Sequence, residues 1–180
     1  DLQVPEEYET IAEAVDAAAD GAVITIGAGQ YETSVSLDLT GKSLTIRGAV
    51  DPKTAEPLTI LDGQGTHMLF VMTGESDAPV RLENLVIQNG TRGLLLVDCT
   101  IEIANCRISG NSSENLSVSS GAGIYMRACT ATMNDCTFEN NSSGYDGGGL
   151  HARDGSVFQL ERCTFNNNSA ANKGGGFLNR

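Results

Sequence analysis

A four-residue pattern recurs along the C-terminal half of this chain, as Asn105-Cys106-Arg107-Ile108, Asp135-Cys136-Thr137-Phe138 and Arg162-Cys163-Thr164-Phe165. The first two cysteines of the pattern are 30 residues apart and the last two are 27 apart. An internal period of this length indicates a solenoid of stacked coils rather than a globular core. Each copy is followed by an Asn-rich turn and then a glycine cluster.

Apolar residues alternate with polar ones on both sides of each cysteine, and this alternation predicts strands with one inward face. It breaks once per repeat, at Glu83-Asn84, Ala104-Asn105, Asn134-Asp135 and Glu161-Arg162. Each break predicts a sharp bend between two short strands. A third strand is predicted after each glycine cluster, with the inward residues Leu94, Leu96, Ile124, Met126, Leu150, Ala152 and Phe177.

Three short strands in each repeat predict an all-β solenoid, a right-handed single-stranded parallel β-helix. Like residues of successive coils would then stack about 4.8 Å apart. Asparagine tolerates the left-handed backbone needed at the bends, and its amide can form hydrogen bonds along a stack. The alternative, a flexible Gly/Asn-rich linker, is disfavoured because the apolar periodicity continues on both sides.

The N-terminal region predicts a cap for the solenoid. Thr10-Ile11-Ala12-Glu13 is a capping-box pattern, and an apolar helix face follows before Asp20-Gly21 ends it. Such a helix would lie across the first coil and shield its core and its strand edge. We therefore predict one domain over residues 1–180, with a cap helix in 1–22, irregular early coils in 23–78 and regular repeats in 79–180.

The early coils are predicted from four apolar runs and one loop. The runs are Val23 to Ile26, Val35 to Leu39, Leu44 to Ile46 and Leu58 to Leu61, and the loop, with two prolines, is Asp51 to Pro57. The sequence stops inside a predicted third strand, at Gly176-Phe177-Leu178-Asn179-Arg180. We expect an uncapped C-terminal coil there, belonging either to a longer protein or to a surface that docks a partner or a second copy.

Two stretches resemble known groups. Residues Tyr8 to Gly48, and then Leu58 to Phe70 with Leu61-Asp62-Gly63-Gln64-Gly65, resemble the opening coils of pectin-lyase-like β-helix proteins. Phe138-Glu139-Asn140-Asn141 and Phe165-Asn166-Asn167-Asn168, each followed by Gly-Gly-Gly and an apolar residue, are similar to repeats of polymorphic outer-membrane proteins. The resemblance implies the fold but not one activity, because the superfamily includes lyases, hydrolases, esterases, adhesins and structural stalks.

Composition narrows the possible partners. A net charge of -12 argues against nucleic acid, which needs a basic footprint. No apolar run approaches the roughly 20 residues that span a bilayer. The chain begins at Asp1 without an initiator Met, which suggests either a processed secretory protein or a recombinant segment. Together with the resemblance, this predicts an extracellular or cell-surface location, associated with an outer membrane.

The five cysteines fall into two sets. Cys106, Cys136 and Cys163 occupy the position of Leu85 in the preceding coil, which predicts a ladder of buried thiols that act as small hydrophobic groups. Cys99 and Cys129 each lie seven residues earlier, at a bend where the next repeat is aligned with Gly155. Stacking would bring this second pair within disulfide range, although parallel Cβ vectors would strain the bond. They are a candidate disulfide.

The outward positions of the third strand form a candidate glycan-binding face. Tyr125, Arg127, His151 and Arg153 lie there at coil spacing. Arginines can pair with carboxylates of an acidic polysaccharide, and Tyr125 can stack on a sugar ring. The alternative is a solvated face whose arginines neutralise neighbouring carboxylates such as Asp98 and Asp154.

Other catalytic arrangements are not found in the sequence. A Ca²⁺-dependent lyase needs clustered carboxylates and a base, and a glycoside hydrolase needs two acids across one cleft. Asp62 is the only acid within a motif, and Asp62-Gly63 is more simply a turn. Neither His67 nor His151 completes a zinc-ligand spacing. No catalytic residue, metal or cofactor, Ca²⁺ included, is therefore assigned.

These observations predict a non-catalytic extracellular or cell-surface scaffold, adhesin or assembly module. Its partner would be a polysaccharide or a host or cell-surface protein. One alternative is a pectate-lyase-like enzyme that acts on an acidic glycan. Another is a structural subunit that self-associates end to end through its open C-terminal coil.

Overall fold

The fold is built almost entirely of short strands in a computed structural model that describes residues 1–76, 78–115 and 120–180. Asp77 and residues 116–119, which belong to the predicted early coils and regular repeats, lie outside the described residues. The N-terminal elements are β1 (Leu2–Val4), α1 (Ile11–Ala17), β2 (Val23–Ile26), β3 (Gly29–Glu32), β4 (Leu37–Asp38), β5 (Thr45–Gly48), β6 (Thr59–Asp62) and β7 (Met68–Thr73).

The strands of the repeats follow in groups of three, with a short extra strand in two coils. They are β8 (Val80–Glu83), β9 (Leu85–Gln88), β10 (Arg92–Val97), β11 (Thr100–Ala104), β12 (Arg107–Ser109), β13 (Ile124–Arg127), β14 (Thr130–Asn134), β15 (Thr137–Glu139), β16 (Ser142–Ser143), β17 (Leu150–Arg153), β18 (Val157–Glu161), β19 (Thr164–Asn166), β20 (Ser169–Ala170) and β21 (Phe177–Asn179). The predicted groups of three are confirmed.

Three parallel sheets wrap around one core. The first sheet has the order β1-β2-β5-β8-β11-β14-β18, the second β3-β6-β9-β12-β15-β19, and the third β4-β7-β10-β13-β17-β21. Neighbouring strands in each sheet come from successive coils and pair in parallel. This is the predicted right-handed parallel β-helix solenoid.

The predicted bends between first and second strands have the expected backbone. Asn84, Asn105, Asp135 and Arg162 all have φ between 49° and 59°, the left-handed region that Asn and Asp tolerate best. Inside the bends, the predicted inward positions stack in rows. Phe138 and Phe165 lie face to face, with ring centroids 4.5 Å apart. Because Phe177 lies in β21, the last described strand of the third sheet, it is 38% exposed.

A ladder of asparagine amides runs beside this apolar core. Asn111 and Asn141 are fully buried. Asn111 Nδ2 donates to Asn141 Oδ1 at 3.0 Å, and Asn141 Nδ2 donates to Asn168 Oδ1 at 2.9 Å. Each amide also donates to a backbone carbonyl of the preceding coil, at Ile87, Ile108 and Phe138. The amide ladder therefore satisfies buried polar groups at the turn that leaves the second sheet.

The N-terminal cap differs from the prediction in one respect. α1 has the predicted capping box, with Thr10 and Glu13 bonded reciprocally, and it buries Ile11, Ala14 and Val15. The strand edge, however, is covered by β1, which precedes the helix and pairs with β2. The helix thus closes the core while a three-residue strand closes the edge of the first sheet.

The early coils follow the predicted runs with two changes. The run from Val35 to Leu39 contributes only the two-residue strand β4, and Val35 is 53% exposed. β3, which was not predicted as a strand, pairs with β6 and supplies the first strand of the second sheet. The predicted loop from Asp51 to Pro57 is confirmed, and its Ala55 carbonyl accepts a hydrogen bond from Asn105 Nδ2 at 2.9 Å.

Candidate functional site

Arg127 and Arg153 project from neighbouring strands of the third sheet, where β13 and β17 pair in register. Their side chains are 46% and 44% exposed. Arg127 Nη2 lies 3.8 Å from Asp98 Oδ2, and Arg153 Nε donates to Asp154 Oδ2 at 3.0 Å. Asp98 and Asp154 are the carboxylates that the alternative interpretation named, and each lies beside one of these arginines.

Tyr125 and His151 do not share this exposure, and the prediction that they form part of an accessible face is wrong. Only 8% of Tyr125 and 3% of His151 are exposed. Their rings meet edge to face, with centroids 5.6 Å apart. Sugar stacking on Tyr125 would therefore require the chain above it to move away, and the accessible part of the predicted face reduces to Arg127 and Arg153.

The cover over Tyr125 and His151 is the turn that leads into each third strand. This turn folds back across the outward side of the strand that follows it. A Cβ placed on Gly121 would lie 2.7 Å from Tyr125 Cα, and one on Gly147 would lie 2.6 Å from His151 Cβ. Both glycines also have positive φ, 68° and 61°. Glycine is needed here both for the backbone conformation and for the close approach.

Arg92 fastens the first of these turns and was missed by the sequence reasoning. It is 3% exposed, and it donates from Nε to Gly121 O at 2.9 Å and from Nη2 to Ser120 O at 2.7 Å. Its guanidinium lies 5.2 Å from the Tyr125 ring centroid, and burial lowers the pKa of Arg92 to about 10. The sequence feature that could have indicated this role is a single arginine directly before the apolar run Gly93 to Val97.

His151 and Asp146 are two further buried polar side chains in the next coil. Within the described residues, neither ring nitrogen of His151 has a hydrogen-bond partner. Burial lowers the pKa of His151, against the opposing effect of Asp146. Asp146 is 1% exposed and accepts from Asn172 Nδ2 at 2.9 Å. Its other oxygen lies 3.1 Å from Arg180 Nη1, an ion pair whose angle falls outside hydrogen-bonding geometry.

Asp62 is occupied by hydrogen bonds. It is 3% exposed, and its Oδ2 accepts from the side-chain amides of Gln30, Gln88 and Asn89 at 3.3, 2.9 and 2.8 Å. Burial by itself would raise the pKa of Asp62, but the hydrogen bonds outweigh it and the pKa is lowered. The turn predicted after Asp62 is confirmed by the bond from Thr66 N to Gly63 O at 3.0 Å. Asp62 therefore ties together coils of the second sheet.

The cysteine ladder has the predicted place. Cys106 and Cys136 are buried and Cys163 is half-buried. Burial raises the pKa of Cys106 to about 12. Cys99 and Cys129 are also buried, with their sulfurs 3.2 Å apart. The bend after β17 has one residue more than the bend after β13, because Arg127 pairs with Arg153 before it and Thr130 pairs with Val157 after it. Counted from the preceding strand the counterpart of Cys129 is Gly155, as predicted, and counted from the following strand it is Ser156.

No group of three or more metal-ligating side chains occurs in residues 1–76, 78–115 and 120–180. His67 contacts the hydroxyls of Thr33 and Thr66 at 2.9 Å each.

A pocket of about 300 Å³ lies between the start of α1 and β3. Its lining includes the apolar or aromatic residues Ile11, Tyr31, Val35 and Leu37 and the acidic residues Glu9 and Glu32. Among the helices in the described part of the chain, none is long and apolar enough to cross a membrane.

Comparison with known proteins supports the architecture. A family model described as "Right handed beta helix region" matches residues 69–177, more than half of the 180 residues. Searches of curated proteins and of solved structures gave no match. The resemblance of the C-terminal repeats to polymorphic outer-membrane proteins is not part of what the family match shows. With three stacked parallel sheets and this match over most of the coils, the chain belongs to the right-handed β-helix family.

Proposed function

We propose that this chain is a non-catalytic β-helix scaffold, located outside the cell or on its surface, that presents its outer strand faces to a partner. The proposal depends on one observation: the acidic, basic and imidazole side chains that could take part in catalysis are buried, hydrogen-bonded or ion-paired within the coils. Asp62 is saturated with hydrogen bonds, His151 is 3% exposed, and Arg127 and Arg153 each lie beside a carboxylate. These groups stabilise the coils rather than converge on an open cleft.

The exposed pairs on the third sheet are suited to exchange with a ligand. Exposed ion pairs contribute little to stability because solvent screens them, so a carboxylate of a partner can replace Asp98 or Asp154 at little cost. Arg127 and Arg153 lie one coil apart, a spacing of about 4.8 Å. This pair is the face we propose for an acidic polysaccharide or for an acidic surface of a protein partner.

The proposal is tested with polygalacturonate as the acidic glycan. Binding is measured by calorimetry, and cleavage is measured by the appearance of reducing ends and unsaturated uronides. Arg127→Ala and Arg153→Ala are compared with Arg47→Ala, which removes an arginine of similar exposure, 48%, from the outer side of the first sheet. We expect no cleavage by any chain. If the glycan binds this face, Arg127→Ala and Arg153→Ala should bind it more weakly than the wild-type chain, and Arg47→Ala should not.

Cleavage by the wild-type chain that disappears in Arg127→Ala and Arg153→Ala, but persists in Arg47→Ala, would overturn the scaffold proposal. It would establish the alternative, a polysaccharide-active enzyme. Absence of both binding and cleavage would remove acidic glycans of this type as the partner and leave a protein partner for the same face.

A second candidate function is assembly through the last described coil. Phe158 and Phe177 meet edge to face with centroids 5.3 Å apart, and Phe165 lies 6.4 Å from Phe177. The partial exposure of this aromatic group favours a contact with further β-structure. Light scattering over a concentration series decides it, because assembly predicts oligomers that Phe177→Asp dissociates. A wild-type chain that stays monomeric at high concentration would remove this candidate.

A further inference from the structure

Two buried thiols on successive coils face each other. Cys99 follows β10 and Cys129 follows β13, and each comes directly after a residue with positive φ, Asp98 at 52° and Ala128 at 53°. The two side chains are 3% and 2% exposed, and their sulfur atoms are 3.2 Å apart. The same bend on adjacent coils therefore places two sulfurs in contact inside the protein.

The other three cysteines use their sulfurs differently. Cys106, Cys136 and Cys163 each donate a weak hydrogen bond to a backbone carbonyl of the preceding coil, at Leu82, Ile103 and Met133, over 3.6, 3.7 and 3.3 Å. These thiols resemble the leucine that occupies their position in the preceding coil, since they pack and fill space. In the pair, the sulfurs of Cys99 and Cys129 are 3.2 Å apart, and Cys129 Sγ also donates to Arg127 O at 3.2 Å. Cys136 and Cys163 interact as well, since a hydrogen bond from the Cys136 thiol lowers the pKa of Cys163 to about 6.

The pair is also limited to two members. In the following coil the bend contains Gly155 and Ser156, and the Ser156 hydroxyl accepts a hydrogen bond from Cys129 N at 3.2 Å. Cys99→Ser and Cys129→Ser exchange the sulfur for an oxygen and leave the rest of the side chain unchanged, so these variants test the sulfur.

We propose that Cys99 and Cys129 are a specific oxidation site that forms one disulfide between adjacent coils, while Cys106, Cys136 and Cys163 remain thiols. Adjacent parallel strands are about 4.8 Å apart, and this spacing lies within the range of about 4.4 to 6.8 Å between the Cα atoms of bonded cysteines. The sulfurs must approach from 3.2 Å to about 2.05 Å, which small rotations of the two side chains can provide.

The oxidant required is a low-molecular-weight disulfide. The thiolate of Cys129 attacks one sulfur of that disulfide, a mixed disulfide forms, and the first small thiolate leaves. The thiolate of Cys99 then attacks the Cys129 sulfur and expels the second small thiol. Two protein thiols are thereby oxidised, one small disulfide is reduced to two thiols, and the two protons pass to those thiols.

Within the pair, the environment favours Cys129 over Cys99 as the first nucleophile. The Cys99 thiol donates a hydrogen bond to the Cys129 sulfur, and this bond lowers the pKa of Cys129. The same bond is the larger cause, and burial the smaller cause, of the raised pKa of Cys99. Since the thiolate is the reactive form, oxidation begins at Cys129 once local opening admits the oxidant. The two cysteines are 30 positions apart in the sequence, and a loop of that size predicts a rise in Tm of roughly 5 to 15 °C.

The experiment incubates the full chain with oxidised and reduced glutathione, blocks free thiols and maps peptides without reduction. A protease that cleaves after Asp and Glu separates the two sets, because Glu102 lies between Cys99 and Cys106 and Asp135 lies between Cys129 and Cys136. We expect one linked peptide pair, Cys99 with Cys129, three blocked thiols, and the rise in Tm that reductant reverses.

Cys99→Ser is expected to abolish both the link and the reversible rise in Tm, and Cys106→Ala is the matched control that preserves both. Five blocked thiols in the wild-type map, glutathione adducts without a protein disulfide, or a link through Cys106, Cys136 or Cys163 would each overturn the proposal. The wild-type map decides the question by itself if a variant fails to fold.

Discussion

Asn141→Ala tests how much of the stability lies in the amide ladder rather than in the apolar core. The substitution removes four side-chain hydrogen bonds: Nδ2 donates to Ile108 O and to Asn168 Oδ1, and Oδ1 accepts from the backbone and side-chain nitrogens of Asn111. All four lie around a side chain with no exposure. At a net contribution of about 1 kcal/mol each, the free energy of unfolding should fall by about 4 kcal/mol.

The measurement is urea unfolding followed by circular dichroism, with thermal melting in parallel. For a chain of this size the same loss corresponds to a fall in Tm of roughly 8 to 16 °C. Asn166→Ala, on the exposed side of β19, is the control and should change stability by less than about 0.5 kcal/mol. An Asn141→Ala chain as stable as this control would refute the reasoning, because the ladder would then contribute nothing beyond space filling.

Two further substitutions test the close coil contacts and the buried histidine. Gly123→Ala places a Cβ against Gly149 O and 3.3 Å from Asn141 Cγ, and should lower the free energy of unfolding by about 1 to 3 kcal/mol. Gly155→Asn, at an open site with φ +78°, should lower the free energy of unfolding by less than Gly123→Ala does. Equal losses for the two variants in urea unfolding would show that close coil contact at Gly123 is not the cause. Because burial lowers the pKa of His151, the unfolded chain binds the proton more readily, so stability should be complete above about pH 6.5 and fall as the pH drops below it. His151→Leu copies Leu178, its partner in the next coil, and Leu95, which occupies the same row two coils earlier. This variant should show a smaller difference in stability between pH 7 and pH 5 than the wild-type chain, while His67 contributes equally to both chains. An unchanged difference would show that His151 is not responsible.

The strands of the repeats could be predicted because each carries its own signal. Alternation marks the inward residues, and a polar pair such as Asn134-Asp135 marks the bend, where Asp135 has φ 56°. The same signal is weak in short elements. β1 and β4 contain three and two residues, too few for alternation to be recognised, so their places depend on contacts with β2 and β7 that sequence alone does not display.

The outward side of the third sheet could not be predicted by alternation, because a second layer of chain covers it. Alternation separates the two faces of a strand but does not say whether a turn folds over the outer one. Tyr125 and His151 therefore seemed exposed although the turns at Gly121 and Gly147 bury them. A usable signal was present: glycine precedes the covered position by four residues in both coils, and again at Gly174 and Leu178.

The amide ladder also gives the solenoid a direction. Every link has the same sense, from Asn111 Nδ2 to Asn141 Oδ1 and from Asn141 Nδ2 to Asn168 Oδ1, so the amide dipoles add along the axis and polarise one another. The ladder begins inside the coils, where Asn111 Oδ1 accepts from Gly90 N at 2.9 Å, and the coils before it are closed by α1 and β1. At its other side stands Asn168, whose oxygen accepts from Asn141. A further amide stacked on Asn168 would therefore have to present its oxygen to Asn168 Nδ2, as Asn141 and Asn168 do to the amides before them, so the ladder fixes the orientation in which another coil can be added.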